Sequence, residues 1–159
     1  MPVLTRQEAA KWAEIQRAAG RRVVFTNGVF DLLHPGHTRY LAEAKQQGDV
    51  LIVAVNSDRS VRALDKGGDR PVTPEQERAE VLAALTAVDA VTIFDETTPL
   101  ETVTAVQPDV LVKGADWATD AIVGRDVVEA RGGTVVRVAL APGHSTTAIL
   151  ARIRAASAD

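Results

Sequence analysis

The hydrophobic positions of this chain follow two rhythms. Short apolar runs rich in Val and Ile occupy Arg22–Thr26, Val50–Val55, Ala90–Phe94, Val110–Val112 and Thr134–Ala139, each bounded by turn residues. Such runs predict β-strands. Amphipathic stretches between and around them predict helices over Thr5–Ala19, Pro35–Gln47, Pro74–Val88, Asp120–Arg131 and Thr146–Ala156. The punctuation agrees. Gly48 stops the helix that opens at Pro35. "TPEQ" offers Thr73 as a cap and Gln76 as its partner in a capping box, and "TPLE" at Thr98–Glu101 repeats the signal. Continuous apolar strands alternating with helices imply one doubly wound, parallel α/β sheet covered on both faces. No repeat, low-complexity tract or linker interrupts the pattern, so a single domain over residues 1–159 is expected. The piece "DKGGDRP", Asp65–Pro71, is too long and polar for a tight turn and reads as a mobile loop.

Composition narrows the function classes. Charged residues make up 25% and apolar residues 46%, the balance of a soluble globular protein. A net charge of −3 gives no reason to expect a nucleic-acid partner. No apolar run approaches the roughly 20 residues that span a bilayer. The N-terminus lacks a signal-peptide pattern, so a cytoplasmic protein without a membrane partner is expected. The chain has no cysteine, which excludes disulfides and thiolate metal sites.

Parallel sheets bind ligands beyond the carboxyl ends of their strands, where the strand order switches. The first predicted strand ends at Thr26, so "NGVFDLLHPGH", Asn27 to His37, falls on that side. Pro35 suits the first position of a helix. His34 is then the cap residue and His37 the third helical residue. Both imidazoles share one helix N-terminus with free backbone amides and the positive end of the helix dipole, a site for an anion. Gly28 and Gly36 let a phosphate approach the backbone. The spacing therefore reads as a phosphate cradle with two donors. Two blander readings compete. A zinc pair needs a third ligand, which only His144 or carboxylates can supply here. A chance pair of capping histidines is the other. No G-x-G-x-x-G follows the first strand and no G-x-x-x-x-G-K-[ST] occurs, which disfavours dinucleotide dehydrogenases and P-loop enzymes.

The stretch "TNGVFDLLHPGH" resembles the T-x-G-x-F-D-x-x-H-x-G-H signature of the cytidylyltransferase-like (HxGH) nucleotidyltransferases. Later pieces, "VAVNSDRSVRAL", "RPVTPEQERAEVLAAL", "VDAVTIFDETTPLE", "PDVLVKGADW" and "GHSTTAIL", are similar to the heptose 1-phosphate adenylyltransferase branch. The resemblance runs from about Val23 to Leu150, within a motif-bearing core of 22–150. It implies a Rossmann-like fold and transfer of AMP from ATP to D-glycero-β-D-manno-heptose 1-phosphate, releasing pyrophosphate and ADP-heptose. It also implies magnesium carried with ATP, no metal ligand from the protein, a homodimer, and a separate sugar kinase as the source of the acceptor. Sister activities stay open: CTP as donor, or glycerol 3-phosphate as acceptor. A non-catalytic nucleotide sensor is the distant alternative.

Roles carry over by position. The resemblance makes His34, His37 and Lys66 catalytic. Asn27, Gly28, Val29, Phe30, Arg78, Lys113, Gly114, Asp116, Ser145, Thr146 and Thr147 would contact the nucleotide. Asp31, Lys66 and Trp117 would face the sugar phosphate. The loop departs from the family, because Asp65 stands between Leu64 and Lys66 where relatives read "LKG". That leaves a solvated charge and a catalytic one as equal readings of Lys66. Arg78 also has the alternative of pairing with Glu75 or Glu77, and Ser145 that of a plain helix cap. His144 receives no role.

Overall fold

The computed structural model describes residues 3–64, 68–115, 121–140 and 142–158. Among them, β1 Val3–Leu4, β2 Val23–Gly28, β3 Val50–Asn56, β4 Ala90–Phe94, β5 Val110–Gly114 and β6 Thr134–Val138 form one sheet. The order is β1-β4-β3-β2-β5-β6, and every pairing is parallel. The helices are α1 Arg6–Ala18, α2 Pro35–Lys45, α3 Asp58–Ala63, α4 Glu75–Ala83, α5 Leu100–Val106, α6 Arg125–Ala130 and α7 Thr146–Ser157. From β2 the chain winds outward through β3 to β4. It then returns to the other side of β2 for β5 and β6. The switch in strand order therefore lies between β2 and β5, and their carboxyl ends frame the position where such sheets bind ligands.

Alternation along the strands explains the layers. Leu51, Val53 and Val55 of β3 join Val24, Leu41, Ala79 and Leu82 in one core, beneath α2 and α4. Their neighbours Val50, Ile52 and Ala54 join Phe25, Ala13, Val103 and Val128 in the other, beneath α1, α5 and α6. Successive side chains of a strand point to opposite faces. A strand covered on both faces is therefore apolar along its length, as β3 is from Val50 to Val55, and β3 is buried throughout.

Three acidic residues pin the amino-terminal edge of the sheet. Asp49, Asp89 and Asp109 each stand immediately before a strand. Their carboxylates accept from Arg22 N (2.6 Å), Leu51 N (2.8 Å) and Val23 N (2.8 Å) on neighbouring chain segments. Their own amides donate to the carbonyls of Arg22, Leu51 and Val23. Each pair fixes one strand against the next, so register is set here by side chains as well as by the ladder.

The structure differs from the sequence reading in several places. β1 and α3 were not expected, because a two-residue strand and a six-residue helix are too short to show a period. α4 is shorter than Pro74–Val88 and carries no capping box. Pro74 holds the cap position with no side-chain bond. Thr73 acts through its backbone instead: its amide donates to Asp31 (2.9 Å) and its carbonyl accepts from Arg78 Nε (2.8 Å). α5 likewise starts after Pro99 without a side-chain cap. α2 ends at Lys45 rather than Gln47, and α6 begins at Arg125, with Asp120 outside the described residues.

Candidate active site

A cleft of about 520 Å³ opens at the carboxyl ends of β2 and β5, within the size range of small-ligand sites. Asn27 and Gly28 end β2 on its floor, and Lys113 and Gly114 end β5. The β2–α2 loop brings Val29, Phe30, Asp31, His34 and His37. Ser145, Thr146 and Thr147 bring the start of α7. The sheet thus gathers residues far apart in sequence.

The loop after β2 is shaped by one unusual residue. Phe30 has φ of 50°, in the left-handed region that costs a bulky side chain of order 1 kcal/mol or more. The turn buries its ring under Gly28. A Cβ on Gly28 would lie 2.8 Å from Phe30 Cε2, so only glycine fits there. The ring edge meets the His37 imidazole at 5.2 Å between centroids.

Pro35 opens α2 and His34 occupies the cap position, making no side-chain cap bond. The His34 and His37 rings stack at 3.8 Å with 25° between planes. Stacked imidazoles direct their in-plane nitrogens side by side rather than toward one point, a geometry suited to two oxygens of a polyanion and not to a shared tetrahedral metal. A Cβ on Gly36 would lie 2.8 Å from His34 Cε1, so glycine is what lets this ring lie over the helix start. Fewer amides are free than the sequence reading expected. The His37 and Thr38 amides turn back to the His34 carbonyl at 2.9 and 3.3 Å, and Pro35 has none. The Gly36 amide is left without a partner among the described residues.

His144 completes a file of three imidazoles, its ring 6.2 Å from that of His34 and nearly parallel. The sequence reading gave it no role. Its position depends on the start of α7 lying against α2, where Thr146 Oγ1 donates to the Leu32 carbonyl at 3.3 Å. Ser145 caps α7 by accepting from the Ala148 amide at 3.0 Å. The cap reading of Ser145 and a place on the cleft wall hold together.

Electrostatics sharpen the site. Burial, and then the neighbouring His34, push the His37 pKa down to about 4. Burial, and then His144, lower that of His34. Both are therefore neutral near pH 7 in the free protein. His34 Nδ1, His37 Nδ1 and Asn27 Oδ1 are buried without hydrogen-bond partners. A buried polar atom left unpaired costs about 1–3 kcal/mol. Three around one cleft mark the place a ligand completes.

Two expected ligand contacts point elsewhere. Arg78 does not line the cleft. It is 2% exposed, and its guanidinium donates to the carbonyls of Thr73, Val29 and Asn56 and to Asp58 Oδ1, at 2.7–2.8 Å. Expectation failed because a cationic residue after "PEQE" gives no sign that four acceptors converge behind it. Nor does it pair with Glu75 or Glu77. Asp31, expected at the sugar phosphate, turns its carboxylate inward. It accepts from Arg70 Nε (2.8 Å), Val72 N (3.0 Å) and Thr73 N (2.9 Å). Arg70 lines the cleft instead. Its signal in the sequence was the "RPV" after the polar loop. Lys66, Asp116 and Trp117 lie outside the described residues, as do Asp65 and Gly67 of the expected loop. Among the described residues no group of three or more His, Asp or Glu is placed to hold a metal ion.

Residues 25–152 match the family described as cytidylyltransferase-like. The protein called "Bifunctional protein HldE" of Acidiphilium cryptum is 55% identical over 152 residues, which is 96% of this chain and 31% of that protein. Its counterpart in Hyphomonas neptunium is 58% identical over 136 residues, 86% of this chain and 28% of that protein. The chain thus spans about three tenths of the length of these curated relatives. Among solved structures, a lipopolysaccharide core biosynthesis protein from Thermoplasma volcanium superposes with a TM-score of 0.64 at 34% identity, covering 77% of this chain and 98% of that one. A protein of unknown function from Archaeoglobus fulgidus, at 23% identity and a TM-score of 0.59 over 78% of this chain and 93% of its own, shares the fold.

Proposed function

Because the chain belongs to the cytidylyltransferase-like family, we propose that it transfers AMP from ATP to heptose 1-phosphate, giving ADP-heptose and pyrophosphate. The observation that carries this reading is the cleft at the strand switch, where His34 Nδ1, His37 Nδ1 and Asn27 Oδ1 are buried and unpartnered between two helix starts. Those helix starts and imidazoles suit the β- and γ-phosphates of a nucleoside triphosphate. The similarity to HldE proteins and the heptose-branch motifs supply the choice of acceptor.

The chemistry balances without a protein nucleophile. An oxygen of the acceptor phosphate forms a bond to the α-phosphorus, the bond from that phosphorus to the bridging oxygen breaks, and its electron pair leaves on pyrophosphate. No proton need be removed from the attacking phosphate, which is already anionic. The protein's part is positioning and stabilisation of moving charge. His34 and His37 donate to oxygens that become more negative as pyrophosphate departs. Magnesium brought with ATP would share that charge. Asn27 Oδ1 is an oxygen of the kind such a hard cation accepts.

Pyrophosphate release across a matrix of ATP and CTP against heptose 1-phosphate and glycerol 3-phosphate tests the reading. Turnover is expected to be highest with ATP and the heptose, and to need magnesium. Best turnover with CTP would transfer the reading to a cytidylyltransferase, and nucleotide binding with no turnover of any acceptor would replace it with a sensor. A homodimer and a cytoplasmic location belong to the same proposal. Light scattering that returns the mass of one chain at micromolar concentration would remove the dimer.

A further inference from the structure

Among the described residues that line the cleft, Arg70 supplies the guanidinium. Its side chain is 10% exposed. Nε donates to Asp31 Oδ2 at 2.8 Å. The Asp31 side chain is itself wholly buried, and the amides of Val72 and Thr73 saturate its carboxylate on the other side. The carboxylate therefore acts as a fixed peg. With Nε so held, Nη1 and Nη2 carry no hydrogen bond among the described residues, and Arg70 borders the cleft.

A planar guanidinium with two free terminal nitrogens matches two oxygens of a phosphate. Ordering such a fork costs entropy, and the Asp31 peg has already ordered it. The place of the fork decides which phosphate it meets. By chain connection, Lys113, Gly114 and the start of α7 follow β5 and β6, whereas Arg70 sits on the connection between α3 and α4, which follows β3, and meets the β2–α2 loop through Asp31; Asp69 beside it pairs with Arg154 of α7. In the reaction proposed above, the triphosphate engages the histidines and the α7 start. The second anion that must enter is the acceptor.

We propose that Arg70 binds the phosphate of the acceptor through Nη1 and Nη2, with Asp31 as its positioning residue. This rests on the transfer reaction proposed above. The fork holds two non-attacking oxygens, leaves the third to reach the α-phosphorus, and offsets the repulsion between the two anionic substrates.

The test pairs kinetics with binding on the full chain. Steady-state rates are measured for the wild type, Arg70→Ala, Arg70→Lys and Asp31→Asn, varying ATP and heptose 1-phosphate separately. Heptose 1-phosphate is also titrated calorimetrically into each protein saturated with a non-transferable ATP analogue, and circular dichroism checks folding. Arg70→Ala is expected to raise KM and Kd for the sugar phosphate about 10- to 100-fold, the loss of hydrogen bonds to a charged group. KM for ATP should stay within about threefold, since that substrate keeps its own contacts. Arg70→Lys restores part of the affinity, because it keeps charge but not the fork. Asp31→Asn gives a smaller defect of the same kind, in acceptor KM more than in kcat. A rise confined to ATP, or an unchanged sugar-phosphate affinity in a folded Arg70→Ala, overturns the assignment while wild-type turnover leaves the reaction standing. Wild-type binding without turnover removes the reaction, and the calorimetric arm still decides Arg70. A wild type that neither turns over nor binds the sugar phosphate removes both.

Discussion

At the scale of single residues, the proposed function rests on stacked imidazoles that burial keeps neutral near pH 7. His34 makes no cap bond and Asn is a good cap. His34→Asn should therefore leave the urea midpoint unchanged, while kcat falls about 10²–10³-fold, the usual loss for one preorganised donor. His37→Ala should behave alike in kcat. Near-normal turnover from both would reduce the pair to chance caps. Gly36→Ala offers an independent check, because its Cβ would displace the His34 ring and fill the approach to the helix start. Turnover should drop without loss of fold. The pH dependence follows from the direction of the shifts. The pKa of His37 is about 4 in the folded protein, below the ordinary 6.5 of an unfolded chain. Between those values the unfolded state binds more protons. Stability is therefore full above about pH 6.5 and is lost as pH falls toward about 4. The lowered His34 adds in the same sense. Urea midpoints at pH 7.5 and pH 5 should differ in that order, and His37→Asn should narrow the gap. A bound polyanion favours the charged imidazole, so pyrophosphate binding should take up protons as pH is lowered from 7 toward the His37 pKa of about 4. Calorimetry at pH 5 in two buffers of different ionisation enthalpy reads that uptake directly, and binding without it would contradict the cradle.

At the scale of elements, the buried guanidinium of Arg78 is the joint between β2, β3 and α4. It closes the carbonyls of Val29 and Asn56, at the ends of two adjacent strands, and ties them to Thr73 and Asp58. Removing one partner of a buried charged network costs about 3–5 kcal/mol, and the orphaned carbonyls add to the loss. Arg78→Met should lower stability by that order in urea or thermal unfolding. A stable Arg78→Met with a large rise in ATP Kd would instead return Arg78 to the triphosphate. The same element shows why the expected capping box does not form. "TPEQ" is a sound capping box by residue type, yet Asp31 claims the Thr73 amide. Local propensity yields here to a carboxylate brought from another part of the chain.

At the scale of the whole molecule, stability is uneven. β2 and β3 lie at the centre of the sheet and of both cores. α7, by contrast, buries only Thr146 among its residues. A helix of a dozen residues is marginal without packing, so hydrogen exchange should be fast along α7 and slow in β2 and β3. Addition of ATP should slow exchange most at Thr146 and Thr147. Uniform protection, or protection of the α7 carboxyl end alone, would argue against α7 as a phosphate-binding wall. What the sequence determined by itself was the local and periodic: the five longer strands, the longer helices, the parallel sheet, the helix start at Pro35 and the histidine spacing. Each depends on nearest neighbours and on side-chain period, which a linear chain displays. Only the tertiary structure decided that His144 joins His34, that Arg78 is buried, and that Asp31 holds Arg70 toward the cleft. Those depend on which segments the strand order β1-β4-β3-β2-β5-β6 brings together, and no local pattern of charge or apolarity records where a distant carbonyl or carboxylate will lie.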